Sequence, residues 1–310
     1  MSARTRLEIG TDGWRINGDV TYAGAEAEGL LMNVRMVNAT FEDSGRDDFD
    51  ADANTDRFIA QIPDYRDHGI RAFTLCLQGG MPGYEGAINS AFEGDGSLRR
   101  DYLERVDRVI RASDEAGVAV ILGFFYQRQM GIFTDPDDVR AAVVNGVRWI
   151  AENGYTNVAV EVANEYAHHG FVNHQIVKSD EGQVELVKLA KETADREAPG
   201  LLISTAGMGS GRLGESVAEA CDFVIIHFNN TDMADVPERI AALKHLGKPI
   251  MCNEDTKVGN RGAEVASLCV ENGCSWGLMH MKVNQHDPFA FDGAADDPAV
   301  YGRLKELTTP

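Results

Sequence analysis

Two apolar runs in this chain finish on the same dipeptide. One ends Val162-Ala163-Asn164-Glu165 and the other Met251-Cys252-Asn253-Glu254. A carboxylate at the mouth of an apolar strand costs desolvation free energy unless a partner or a reaction uses it. Two such groups held about 5 Å apart suit double displacement at an anomeric carbon: one attacks, while the other protonates the leaving oxygen and then activates water. Either dipeptide alone reads as readily as a helix cap or an ion-pair partner. Their repetition at two strand ends favours a shared reaction, with Glu165 and Glu254 as the catalytic candidates.

Positioning those residues requires a sheet, and eight β-like runs are present: 30–39, 70–77, 118–126, 158–165, 201–206, 223–229, 249–254 and 275–281. Most are continuously apolar, the pattern of parallel strands covered on both faces. Helical patterns alternate with them. Ser97 to Gly117 and Asp135-Pro136 to Gly154 have clear starts and stops, and 180–198, 211–220, 236–247, 261–273 and 298–307 repeat their apolar positions every three or four residues. The segment 52–69 is the weakest helix, because Pro63 interrupts it. At 7–24, Asp12-Gly13 and Asn17-Gly18 predict a small β-ribbon. The expected fold is therefore an α/β (β/α)8 TIM barrel, a single catalytic domain over residues 1–310, with an amino-terminal hairpin ribbon over 1–24. An open doubly wound sheet would place a Gly-rich phosphate turn after its first strand, and residues 38–56 contain none.

Composition narrows the function. Hydrophobic residues make up 44% of the 310 and charged residues 25%, as in an ordinary globular protein. Twenty-nine Lys and Arg against 49 Asp and Glu give a net charge of −20, which repels phosphate backbones and anionic membranes. Neither nucleic acid nor membrane is expected as a partner. The apolar run 116–125 is too short to span a bilayer, and five cysteines without a CxxC pair read as reduced thiols, so a soluble cytoplasmic protein is expected.

The stretch Glu161-Val162-Ala163-Asn164-Glu165 resembles the E-x-x-N-E motif on the fourth strand of clan A glycoside hydrolases, of which family 5 is the best known. Lys248-Pro249 through Glu254 resembles their seventh-strand K-P motif. Asp222 through His227-Phe228 resembles the sixth strand, and Trp14-Arg15-Ile16-Asn17-Gly18 the ribbon leading into the first. The resemblance implies a retaining glycosidase with Glu165 as general acid/base, Glu254 as nucleophile, Asn164 on the sugar 2-hydroxyl and His227 orienting the pair. A protonated Glu165 requires a raised pKa, which the negative charge of Glu254 would supply.

Departures from the pattern mark an outlying member. Arg71 stands too early in its strand to support the nucleophile, with Arg35 as a substitute; the third-strand His is missing, Phe228 replaces a Tyr, and Met279-His280-Met281-Lys282 stands where a sugar-stacking Trp is common. Tyr126, Gln127, Arg35, Asn164, His227, Asn229, His280 and Lys282 form the expected carbohydrate-binding set, joined at the mouth by Arg128, His168, His169, Asn284 and Gln285. Few aromatics among them point to a short oligosaccharide or glycoside. No cofactor and no metal are expected. A metal-dependent sugar isomerase or epimerase using His227, Glu165, Glu254 and Asp255 is the alternative, weakened because the fifth run ends Ser204-Thr205-Ala206-Gly207 without a carboxylate. The acidic stretch 47–56 has calcium-loop spacing but Thr55 where Gly is needed, and reads as a solvated loop.

Overall fold

In this computed structural model, residues 4–43, 46–79, 87 and 89–310 are described. The chain opens with three antiparallel strands, β1 (Leu7–Gly10), β2 (Gly13–Ile16) and β3 (Asp19–Val20). Asn17 (φ 57°) and Gly18 (φ 85°) turn β2 into β3. Positive φ at both central residues is what a type I′ hairpin turn demands.

The barrel follows as β4 (Asn33–Arg35), β5 (Ala72–Cys76), β6 (Ala119–Phe125), β7 (Val158–Ala163), β8 (Leu202–Ser204), β9 (Val224–His227), β10 (Ile250–Glu254), β11 (Cys274–Ser275) and β12 (Gly277–Leu278). All barrel pairings are parallel, in the orders β12-β4-β5-β6-β7-β8 and β9-β10-β11. Single parallel bridges, Ala206 to Ile225 and Asp255 to Leu278, join the two sheets into a ring. Trp276 splits the eighth stave: β11 pairs with β10, and β12 with β4. This is the expected (β/α)8 barrel. Nearly every strand residue is buried, because helices cover the outside.

The helices are α1 (Ala51–Asp67), α2 (Arg100–Ala116), α3 (Pro136–Glu152), α4 (Gln175–Lys178), α5 (Asp180–Glu197), α6 (Glu215–Ala220), α7 (Val236–Ala241), α8 (Gly259–Glu271) and α9 (Pro298–Thr308). Their starts follow local chemistry. Before α3, the Asp135 carboxylate accepts from Asp137 N at 2.8 Å while Asp138 accepts from Asp135 N at 3.1 Å, with Pro136 in the first turn.

Several expectations need correction. Pro63 lies inside α1 without ending it: buried Phe58, Ile62 and Tyr65 hold that helix to the core across the missing hydrogen bond. The acidic stretch is not a loop from Ala51 onward. Asp50 caps α1 by accepting from Ala53 N at 2.9 Å, and Arg108 of α2 reaches Asp52 at 3.1 Å and Asp56 at 3.3 Å. The first run yields a strand only at 33–35, because Val37–Thr40 tightens into a 3-10 turn. Segment 236–247 is α-helical only to Ala241, with a 3-10 turn at Lys244–Leu246, and 211–220 is helical only from Glu215.

Candidate active site

β7 delivers Asn164 and Glu165 to the carboxyl end of the barrel, and the chain turns there sharply. Glu165 has φ 48°, a left-handed backbone that costs free energy for a residue with a Cβ. Its Oε1 accepts from Gly209 N at 2.8 Å and lies 3.3 Å from His227 Nδ1 at the end of β9. A Cβ at Gly209 would meet Asn229 Oδ1 at 2.6 Å, so a larger residue there would push aside the asparagine that holds Glu254.

Glu254 closes β10 opposite. Its Oε2 takes Arg35 Nε at 2.9 Å and faces His227 Nδ1 at 3.7 Å; its Oε1 accepts from Asn229 Nδ2 at 2.6 Å. One atom each from Glu165, His227 and Glu254 lie within 4.8 Å of one another. Arg35 Nη2 donates to Asn164 Oδ1 at 2.6 Å, and Asn164 Nδ2 donates to Gln127 Oε1 at 3.2 Å. The nucleophile candidate, the sugar-binding candidate and an arginine of β4 thus share one hydrogen-bonded chain.

Burial disfavours the charged form of Glu165, but the hydrogen bond and charge of His227 and the Gly209 N–H outweigh it, so its pKa lies below the ordinary carboxyl value. Burial likewise disfavours charge on His227, but Glu254 and Glu165 raise its pKa overall. The expectation that Glu254 would raise Glu165 is therefore corrected. His227 Nδ1 faces both carboxylates, and their negative charge favours the protonated imidazole. Burial also opposes the charge on Arg35, which Glu254 and Glu161 nevertheless hold firmly protonated.

A cavity of about 250 Å³ opens over this group, lined by Arg35, Tyr126, Gln127, Asn164, Glu165, Asn229, Asn230, Glu254, Thr256, Met279 and Met281. A larger one, about 420 Å³, lies at the opposite end beside β1 and Glu197. There Glu197 is engaged with Arg148 at 3.1 Å.

Not every candidate reaches the cavity. His227 lies fully buried behind the carboxylates and not against the open space; Arg35 lines it, but its guanidinium is committed to Glu254 and Asn164. His280 and Lys282 do not line it. Trp276 and Leu278 of the eighth stave pack into the outer core, so the alternate positions Met279 and Met281 face the cavity in place of His280 and Lys282. Asn284 and Gln285 are structural: Asn284 Nδ2 donates to Asp296 at 2.9 Å and Gln285 Nε2 to Arg35 O at 3.0 Å. His168 caps a 3-10 turn by accepting from Gly170 N at 3.0 Å, while His169 and Arg128 are exposed.

Sequence reading left out Gly209, Asn230, Thr256 and the two methionines as contributors. Loop backbone and residues beyond the strand ends carry no periodic signal. Glu161 was legible as a charge inside the apolar run 158–163, although only as part of a motif.

No protein-family model matches this chain, and no curated protein is similar to it in sequence. Its structure is similar to solved ones. A GH5-4 broad specificity endoglucanase from Clostridium longisporum aligns with TM-score 0.65 at 12% identity, over 90% of this chain and 96% of the other. A glycoside hydrolase candidate from Bacteroides vulgatus aligns with TM-score 0.68 at 13% identity over 97% of this chain, and an exo-β-1,4-mannosidase from Opitutaceae bacterium strain TAV5 with TM-score 0.66 at 12% identity over 97%. This chain spans only 60% and 61% of the lengths of those two. The chain has the fold of the family 5 glycoside hydrolases. Within that fold, its K-P dipeptide has a structural use: Lys248 Nζ donates to the carbonyls of Ala218, Glu219 and Cys221 at 2.9, 2.6 and 2.6 Å, capping the end of α6. Trp276, deep in the eighth stave, is fully buried and donates to Asp255 at 3.0 Å.

Proposed function

We propose that this chain is a retaining glycoside hydrolase acting on a short oligosaccharide or glycoside. The observation that carries the reading is that a carboxylate oxygen of Glu165 and one of Glu254 lie within 4.8 Å of each other, beside a shared histidine, at the carboxyl end of the strands. Retaining enzymes hold their carboxyl groups about 5 Å apart, whereas inverting ones leave roughly 6.5–9.5 Å for a water. Glu254 attacks the anomeric carbon; Arg35 and Asn229 fix both of its oxygens. Glu165 gives its proton to the leaving oxygen and then takes one from water. A sugar entering the cavity strengthens the desolvation of Glu165, which shifts the proton from His227 toward it. Asn164 retains an amide hydrogen for a ring hydroxyl.

A cavity of about 250 Å³ suits about one sugar ring, and among the described residues it is walled by methionines and a single tyrosine with no stacking tryptophan. Structures of the same fold are named as an endoglucanase and an exo-β-1,4-mannosidase, which supports carbohydrate as the substrate class.

The proximity of Glu165, His227 and Glu254 also favours a second reading, a metal-dependent sugar isomerase. It ranks lower because Arg35 Nε sits 2.9 Å from the Glu254 oxygen such an ion would take, and like charges repel. A screen of aryl glycosides and oligosaccharides decides, run on wild type, Glu165→Ala and Glu254→Ala with EDTA and with azide. The glycosidase reading expects an EDTA-resistant activity that falls about 10³-fold or more in both variants, with azide rescuing Glu165→Ala as a glycosyl azide of retained configuration. Activity persisting in either variant, or abolished by EDTA alone, rejects it.

A further inference from the structure

Glu161 has no part in the chemistry proposed above, yet it is fully buried in the middle of β7 and touches both sides of the nucleophile. Arg35 Nη1 stands 3.8 Å from its Oε2 and finds no other partner; Asn253, the residue before Glu254, donates to the same oxygen at 2.6 Å. The three nitrogens of Arg35 thus face three places: Nε the nucleophile, Nη2 Asn164, and Nη1 Glu161.

The reaction itself creates a need for this arrangement. In the first step a Glu254 oxygen bonds to the anomeric carbon, the bond from that carbon to the leaving oxygen breaks, and the leaving oxygen takes the proton of Glu165. Glu254 becomes a neutral ester. Arg35, only 1% exposed, then loses the carboxylate 2.9 Å away while remaining charged, and an unpaired buried charge is strongly unfavourable. Asn164 offers only a neutral oxygen.

Resting on the glycosidase reading, we infer that Glu161 is a positioning residue that serves as the counter-ion of Arg35 while Glu254 is esterified. Electrostatics run the same way. Burial, with the charge of Glu254, leaves the Glu161 pKa above the ordinary carboxyl value against the pull of Arg35, His227 and the Asn253 hydrogen bond. Esterifying Glu254 removes the Glu254 repulsion, which moves Glu161 toward its charged form when Arg35 needs a partner.

The test pairs crystal structures with kinetics for Glu161→Gln and Glu161→Asp, with circular dichroism to show that each folds. In Glu161→Gln, Arg35 is expected to leave its seat, breaking its contact with Glu254 or Asn164. Its kcat is expected to fall roughly 10- to 100-fold with KM changed less than about threefold, since the loss is felt when charge moves. Glu161→Asp is expected to recover part of kcat. Should the Gln variant fail to fold, the Asp variant takes the same measurements, with a smaller displacement and a smaller loss expected. An Arg35 that keeps all three contacts in the variants overturns the inference whatever the rates, as does a kcat within twofold of wild type. A displaced Arg35 in a protein whose wild type hydrolyses no glycoside upholds the positioning role and rejects the glycosidase reading instead.

Discussion

At the amino-terminal end of the barrel the interior is closed by Leu7, Trp14, Leu31, Ala72, Ala119, Ile121, Ala159, Phe223, Ile225 and Met251, an apolar cluster plugged from below by the ribbon. Trp14 meets Phe223 edge to face at 5.1 Å. A few residues further along, the same strands carry Arg35, Glu161, His227, Asn253 and Glu254, all buried. Four of their polar atoms, Arg35 Nη1, Glu161 Oε1, His227 Nε2 and Asn253 Oδ1, have no hydrogen-bond partner among the described residues. One end collects transfer free energy; the other holds desolvated charge in a fixed geometry. Stability and chemistry are separated by a few residues of strand.

That contrast can be broken at either end. Trp14→Ala should lower the unfolding free energy by about 3–5 kcal/mol, read by urea denaturation, and leave kcat per folded molecule unchanged. A large loss of turnover in the folded variant would show that the floor is coupled to the mouth. At the other end, Asn229→Ala removes the hydrogen bond onto Glu254 Oε1, and such bonds to charged groups contribute about 1.5–3 kcal/mol. Turnover should fall about 10- to 100-fold, with a much smaller change in thermal stability than Trp14→Ala produces.

The pair Glu165 and His227 gives the mouth a pH signature that the floor lacks. Glu165 is lowered from 4.5, so its contribution to stability is complete above that value and is lost as pH falls through the folded pKa. His227 is raised from 6.5, so its contribution is complete below that value and is lost as pH rises through its folded pKa. Stability from this pair is therefore greatest between pH 4.5 and 6.5, and it should decline on both sides. Comparing denaturation of wild type and His227→Gln from pH 4 to 9 checks this; the difference between them should shrink at both extremes. The smallest effect belongs to the surface. Arg108→Ala removes the two half-exposed bridges to Asp52 and Asp56, and should change stability by less than about 1 kcal/mol at ordinary salt.

Legibility in the sequence follows the same division. Continuous apolar runs and helical spacing revealed the barrel, because burial on two faces leaves a mark on every residue of a strand. Asn164, Glu165 and Glu254 were legible for the related reason that polar residues ending such runs stand out. The eighth stave was not. Whether His280 or Met279 faces the cavity depends on which face of a two-residue strand packs outward, and a slip of one residue exchanges the two. The direction of the Glu165 shift was also hidden, since it depends on His227 from a strand 62 residues away. Pro63 misled for the opposite reason: a local rule was outweighed by the buried side chains on either side of it.

The left-handed backbone of Glu165 carries a consequence for anyone engineering this scaffold. Glycine is the residue that accepts φ 48° without strain, so Glu165→Gly would relax the peptide and remove a crowded carboxylate in a single change. The same change would forfeit the contacts from Gly209 N and His227, so selection for heat resistance at position 165 would set relief of the backbone against two lost interactions of the candidate acid/base.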